Sequence, residues 1–422
     1  MMSKQKSTIF ILIILSFFAS NLTAQIYGCT DQKANNYNVA ATDNDGSCTY
    51  SLTIYNPPVK YLLPDEIDET SGLAYFNGSL WTINDSGGLA TLYAFDTISG
   101  EISQRIAITN ATNVDWESLA DDDDYIYIGD FGNNSGNRDN LAIYRVLKSD
   151  IPMEGNGNVE SEKITFAYSD YKGNVEKKMS HNFDCEAFIA TDDSLYLFSK
   201  NHENQKTKLY KLPNEPGNYI AEIITTFNSA GLITGADINS ENNEVTLVGY
   251  VNNEWTPFTW LLFDFEDNNF FSGNKRRIDL LNIIATQTEA IAYTIDKNEV
   301  MTSEGRFFSQ TAYDFNSGLW TNESPSEILE VDSDLFNFTL SPNPVAKSKL
   351  NIEIVSLPVG VYQIEVYNSI GQLVKGSSCK VTKKGGATKI KIRVGDYPDG
   401  TYFVRMISGY QVVEKKFIKR KK

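Results

Sequence analysis

Histidine is almost missing from this sequence. Of 422 residues only His181 and His202 are imidazoles, so a serine–histidine–aspartate relay has two candidate bases, and no Gly-x-Ser-x-Gly elbow accompanies either. His181 sits in a stretch that reads as an exposed insert. Hydrolysis by metal-held water has no such need and stays open. Cysteine is also scarce, at four residues. Cys29 and Cys48 are close enough to staple a loop too small for its own core, whereas Cys185 and Cys379 lie far apart and read as separate buried thiols. Basic residues fall short of acidic ones, 37 against 54, and the formal charge of -17 excludes a nucleic-acid partner. No helical apolar stripe of three turns appears anywhere. Long hydrophobic runs are missing too, with one exception.

That exception is residues 9–18, preceded by Lys4 and Lys6 and followed by Leu22-Thr23-Ala24 ahead of Gln25. A basic start, a short apolar core and small residues before a cleavage point form a secretory signal peptide over residues 1–24. The apolar core is well short of the roughly 20 residues that span a bilayer. No later run approaches it, so the chain is expected to keep no transmembrane segment after cleavage.

What is present is short alternating or apolar runs separated by Gly, Asn and Asp, the all-β pattern. Between Ser51 and Thr321 these runs recur in order. First runs are ETSGLAYF, DWESLADD, DCEAFIAT, ITGADINS and QTEAIAYT; second runs are SLWTINDSG, YIYIGDFGN, SLYLFSKNH, VTLVGYVN and EVMTSEGRF. Counted from Glu69, Glu117, Glu186, Asp237 and Glu289, the intervals are 48, 69, 51 and 52 residues, the longest holding two loop-like inserts. A four-stranded unit repeating at about 50 residues is the sequence form of a β-propeller blade. Five blades are expected, with LTIYNPPVKYLLP supplying the outer strand of the last and closing the ring; a sixth is the alternative if residues 323–336 join it. A two-sheet sandwich is the rival, but sandwich strands have no reason to repeat a carboxylate at one place.

In a propeller the first strand of each blade lines the channel, so Glu69, Glu117, Glu186, Asp237 and Glu289 are expected to converge. Like charges at short range resist ionisation unless a cation neutralises them. Either a bound ion answers this, or the carboxylates stay protonated or tie blades together. Asp85, Asp130, Arg138 and His202, at the ends of second runs, belong to the same channel mouth. Within IGDFGNNSGNR, Arg138 is either a fork for an anionic ligand or simply the partner of Asp130. This part resembles the broad propeller class of gluconolactonase-like lactonases, phytase-like esterases and non-catalytic NHL-type modules, on Glu69-Thr70-Ser71-Gly72-Leu73 and Asp115-Trp116-Glu117-x-Leu119-Ala120. The resemblance leaves two functions: a binding module for an unknown extracellular ligand, which is the preferred reading, or a calcium-dependent secreted hydrolase of the esterase, lactonase or phosphatase type.

Residues 25–50 are rich in hard oxygen donors: Asp31, Asn36, Asn38, Asp43 and Asp45, with Gly46 for a tight turn. They suit Ca²⁺, or else only form Asx turns. Gly28-Cys29-Thr30-Asp31, Asn36-Tyr37-Asn38 and Asp45-Gly46-Ser47-Cys48 resemble a short motif of exported Bacteroidota proteins, akin to thrombospondin type 3 repeats, which implies a Cys29–Cys48 disulfide and calcium binding.

The charge changes sign late in the chain: residues 379–422 carry 13 Lys/Arg and 3 Asp/Glu, residues 25–378 carry 22 and 51. After a linker at 322–335, alternating strands in residues 336–422 predict a small immunoglobulin-like β-sandwich. Ser341-Pro342-Asn343-Pro344, Gly371-Gln372-Leu373-Val374, Gly400-Thr401-Tyr402-Phe403-Val404 and Lys415-Lys416-Phe417-Ile418-Lys419 resemble the type A sorting domain of the type IX secretion system. The resemblance implies export by that machinery, and a secreted or outer-surface location.

Overall fold

The computed structural model describes residues 25–173, 178–252, 255–280, 283, 287–305, 309–321, 337–355, 360–368, 373–381, 388–408 and 411–420. Nearly all of it is strand and turn.

Five antiparallel four-stranded units occupy residues 59–316. Their first strands are Thr70–Phe76, Trp116–Asp121, Asp184–Ala190, Leu232–Asn239 and Thr288–Tyr293. Each packs against the next, and the fifth packs against the first, so the five form a closed circuit. Closure depends on the N-terminal strand Val59–Leu62, which pairs antiparallel with Thr311–Asn316 as the outer strand of the fifth unit. This is the closing role expected of LTIYNPPVKYLLP. No sixth unit occurs among the described residues, and residues 322–336 lie outside them.

Strands such as Ser194–Lys200 are buried at all seven positions because both faces of a unit are covered by its neighbours. Five apolar cores fill the five interfaces. Trp81 and Trp116 meet between units one and two, Phe131 and Phe188 between two and three, and Phe198 and Phe258 between three and four. Leu261 and Met301 lie between four and five, and Ala290 and Phe95 between five and one. Each of the Phe, Leu and Met side chains among these, fully buried, stabilises the fold by about 1.5–3 kcal/mol. Outer edges are protected as well. Gly157–Val159 covers the first unit and Thr53–Ile54 the fourth, while Glu162–Tyr168 and Gly217–Phe227 join the second and third units in parallel.

Residues 25–50 hold the Cys29–Cys48 disulfide and dock on the outer strand of the fourth unit. Asn44 donates to Asn274 at 3.0 Å, Lys275 donates to the Gly46 carbonyl at 3.2 Å, and Arg276 lies 4.9 Å from the Tyr50 ring centre. Gly46 has φ +71°, and a Cβ there would lie 2.2 Å from the Ser272 carbonyl oxygen, so the docked turn requires glycine. The loop's polar side chains make hydrogen bonds within the loop. Asp31 accepts from Lys33 N–H, Asn38 from Ala40 N–H, Asp45 from Ser47 N–H, and Asn36 from Thr49 N–H; Asp43 takes the side chains of Gln25 and Thr42. Closing a loop of this length is worth ~3 kcal/mol in the chain-entropy account. Because the loop lies outside the five cores, reduction should raise hydrogen exchange across residues 25–50 and leave the exchange of the first strands unchanged. Peptide mapping without reductant should recover the Cys29–Cys48 pair.

Cys185 is a buried free thiol; Cys379 lies on the strand Leu373–Val381, and its side chain is outside the described residues. Residues 337–419 form a three-stranded and a four-stranded antiparallel sheet around a core that includes Phe338, Ile352, Val366, Val404 and Phe417.

Candidate functional site

Every first strand contains one extra residue opposite its neighbour. The bulged residues are Ser71, Glu117, Glu186, Thr234 and Glu289. A bulge re-aims a side chain out of the pleat, and here it does so at one level in all five units. The two hydroxyls tie units together: Ser71 donates to the Glu117 carbonyl at 2.9 Å and Thr234 to the Thr288 carbonyl. The three glutamates line a cavity of about 480 Å³ at one end of the circuit, together with Glu69, Asp85 and Lys200.

This register keeps Glu69 in the cavity, at its rim, and corrects Asp237. Glu69 precedes the bulge of its unit by two positions and is an exposed rim residue of the same cavity. Asp237 follows its bulge by three positions, which is ~10 Å along a strand, and lines a different cavity at the opposite mouth with Asp121 and Asp296. There it accepts from the Tyr293 and Ile238 backbone N–H groups. Burial, with Asp121 nearby, pushes its carboxyl up to about 8.

Within the first cavity one oxygen each of Asp85, Asp115 and Glu117 lie within 4.8 Å of one another. Among the described residues this is the only such group of three His, Cys, Asp or Glu side chains. Glu117 is 4% exposed. Its carboxyl lies well above the ordinary range, through burial first and then through Glu186, Asp85, Asp184 and Asp115. Its carboxylate shares the cavity lining with Glu186 and Asp85. Burial likewise raises Asp85, and burial with Asp85 beside it lifts Asp115 to about 6 although Arg138 opposes the shift. Gly132 closes over this group: a Cβ there would lie 2.0 Å from Glu117 Oε1 and 2.6 Å from Asp115 Oδ2.

Lys200 is the residue that sequence reasoning missed. Its ammonium donates to both oxygens of Glu186, and both side chains are about 5% exposed. Burial alone would discharge this lysine, but Glu186 outweighs it and holds the ammonium charged. The signal was a Lys closing the mostly apolar run SLYLFSK, which pairs directly with the strand of the Glu of DCEAFIAT. Lys200 also lies 5.4 Å from the Tyr250 ring centre, and Tyr250 stacks on Trp255 with centroids 5.2 Å apart and planes 9° apart.

Arg138 is committed to its own hairpin. It donates to Asp130 Oδ1 at 2.8 Å and to the Gly132 carbonyl at 2.7 Å, so the pairing alternative holds and no ligand fork is presented. Asp130 is thereby a buried anchor. His202 faces Asp184 at 3.0 Å and is buried behind the cavity wall, with Asp184 also taking Asn133 N–H at 2.6 Å. His181 is 4% exposed, not on an exposed insert, because its ring packs by His202 and accepts from Phe183 N–H.

Residues 339–420 match the family of secretion system C-terminal sorting domains. The chain therefore carries a type IX sorting domain and is exported by that machinery to the cell surface or the extracellular space. No described helix is long and apolar enough to cross a membrane. No curated protein matches the chain. Among solved structures it is similar to an exo-β-1,3-galactanase of Phanerochaete chrysosporium, at 11% identity over 86% of this chain and 99% of that one, TM-score 0.46. It is also similar to a bifunctional GH43-CE protein of Bacteroides eggerthii, at 12% identity over 87% and 54%, TM-score 0.37. A glucose dehydrogenase follows at 9% identity over 61% and 99%, TM-score 0.36. Likeness at these levels carries no statement about chemistry.

Proposed function

We propose that residues 51–321 are a five-bladed β-propeller enzyme, followed by an immunoglobulin-like sorting sandwich, and that the propeller is a cation-dependent extracellular hydrolase. The observation that carries this reading is the carboxylate of Glu117, on a residue only 4% exposed, with one oxygen each of Asp85 and Asp115 within 4.8 Å of it. Gathering carboxylates this closely in a buried place disfavours their charge. A hard divalent cation resolves the cost, and an all-oxygen donor set suits Ca²⁺, Mg²⁺ or Mn²⁺ over softer metals.

In this arrangement Asp85, Asp115 and Glu117 would hold the ion, which when bound polarises a substrate oxygen or lowers the pKa of water. Gly132 leaves the room the carboxylates need. Lys200 fixes Glu186 in one orientation on the cavity wall and keeps a positive charge near the reacting centre. The bulges set Glu117 and Glu186 on rigid strands, while Asp85 and Asp115 lie on the residues directly flanking strands.

The test is metal analysis of the purified chain without its signal peptide, followed by a screen of esters, lactones and glycosides with and without chelator. Close to one ion per chain, lost in Glu117→Gln together with turnover, is the expected result. A chain that takes up no ion and turns over nothing in the screen would leave the extracellular binding module as the better reading.

A further inference from the structure

We propose that a monovalent cation binds inside the wall between the fourth and fifth units, held by the carboxylate of Glu299 and the hydroxyl of Ser317. The inference does not rest on the hydrolase reading, because neither residue belongs to the cavity of Glu117 and Lys200.

The five units share one register, and in that register Glu299 is out of place. Each second strand sets one residue opposite the position four after the bulge of the first strand. Those residues are Leu80, Ile126, Leu195, Val245 and Glu299. Four units bury an aliphatic side chain there, each 0% exposed, and the fifth buries a carboxylate at 1%. A charge in a core is costly unless it is paired and hydrogen-bonded. Yet neither carboxylate oxygen of Glu299 has a hydrogen-bond partner.

The groups around it are polar, and all but one already have partners. Glu244, fully buried, accepts from Lys297 Nζ at 2.8 Å and from Tyr293 Oη at 3.1 Å, so its charge is compensated. Thr246 Oγ1 lies 2.8 Å from Tyr293 Oη. Asp237 accepts from two backbone N–H groups. The exception is Ser317. Its backbone is fixed, with its N–H on the Lys297 carbonyl at 3.1 Å and its carbonyl taking Trp320 N–H at 2.8 Å, but its buried hydroxyl has no partner. Burial first, and then Glu244, push the Glu299 carboxyl well above its ordinary range. The Thr246 and Ser317 hydroxyls stand near enough to oppose that shift without completing a hydrogen bond to it. Buried polar atoms in folded proteins are nearly always paired, so three open oxygens on two neighbouring residues form a coordination set for a hard ion.

The charge balance selects the ion. Lys297 cancels Glu244, which leaves one negative charge, on Glu299. Na⁺ or K⁺ cancels it, whereas a divalent ion would bury a surplus positive charge. A proton would also cancel it, but would leave the Ser317 hydroxyl open. A water would pair the oxygens and leave the charge.

The experiment uses the whole chain without its signal peptide, at pH 8 and in chelator, so that divalent ions are absent throughout. Melts are recorded in NaCl, KCl and choline chloride at one ionic strength. Na⁺ or K⁺ should raise Tm above the choline value by roughly 2–4 °C at about ten times its dissociation constant. Glu299→Leu, which restores the aliphatic residue of the other four units, and Glu299→Gln should fold and lose that difference. Ser317→Ala should need a several-fold higher ion concentration for the same gain. Equal melts in the three salts would overturn the proposal and leave Glu299 a buried acid that keeps its proton. An ion-specific gain that persists in folded Glu299→Leu, or is unchanged in Ser317→Ala, would overturn it by placing the ion elsewhere. Because chelator holds the Glu117 group free of divalent ions, failure here and failure of the hydrolase reading are read separately.

Discussion

A chain ending at residue 335 should accumulate inside the outer membrane, with nearly complete loss of delivery to the surface or the medium. The sorting domain occupies residues 339–420 and therefore goes with the cut. What remains should still fold. The apolar core of the last two sheets draws only on residues from Phe338 onward, while the five cores of the repeated units draw only on residues before the linker. A domain with its own core folds as its own unit. The strand that closes the circuit, Val59–Leu62, comes from the N-terminal side and is untouched. Cell fractionation and a thermal melt of the truncated chain separate the two consequences. Unchanged surface delivery would mean that residues 25–335 carry a second address. A chain that is retained but unfolded would mean that the sorting sandwich also supports the units.

Much of this architecture was legible because a repeat states its own period. The runs headed by Glu117, Glu186 and Glu289 share Glu-small-apolar, and these three fell in the same cavity at the same bulge. The error at Asp237 came from aligning on charge when the backbone aligns on size. Ser71-Gly72-Leu73-Ala74 and Thr234-Gly235-Ala236-Asp237 are the true counterparts of Glu117-Ser118-Leu119-Ala120. Side chains after the bulge must be small because neighbouring first strands approach closely: a Cβ at Gly72 would lie 2.4 Å from Leu119 N, and one at Gly235 would lie 2.7 Å from the Glu289 carbonyl oxygen. Choosing the nearest carboxylate instead of the small-residue pair left Glu69 at the rim of the cavity and sent Asp237 to the far mouth.

The parts of the site that were not legible depend on contacts between units, and a period says nothing about those. Asp115 was quoted only as part of a motif, yet it completes the acidic group because Gly132 allows its carboxylate to approach Glu117. Lys200 belongs to the third unit, Tyr250 to the fourth and Glu289 to the fifth. Their meeting is set by the circuit's closure, and no spacing in the chain announces it.

Without a cation, the stability of the chain should fall as pH rises from the ordinary carboxyl range toward 6, and adding Ca²⁺ or Mn²⁺ should remove that fall. Asp115 sits at about 6 in the folded chain because burial, with Asp85 beside it, disfavours its charge. An unfolded aspartate titrates near 3.9. Between those values the folded chain therefore holds a proton that the unfolded chain has lost, so stability decreases with rising pH across the interval and levels off above it. Glu117 and Asp85 are raised in the same direction, which carries the trend upward in pH. A divalent ion in place of the protons reverses the preference: it binds the ionised groups of the folded state, so its contribution grows as pH rises through the same interval. At free ion about 100 times the dissociation constant the gain is ~2.7 kcal/mol, or roughly 5–10 °C in Tm for a body of this size. The measurement is a set of melts at pH 4 to 8, with chelator and with each ion, on the unaltered chain and on Glu117→Gln. The variant should be less pH-sensitive in chelator, because it carries no buried carboxyl at that position, and should gain little from either ion. If the ions stabilise the variant as much as the unaltered chain, the cation sits elsewhere, and the buried carboxyls serve only to lock the units together.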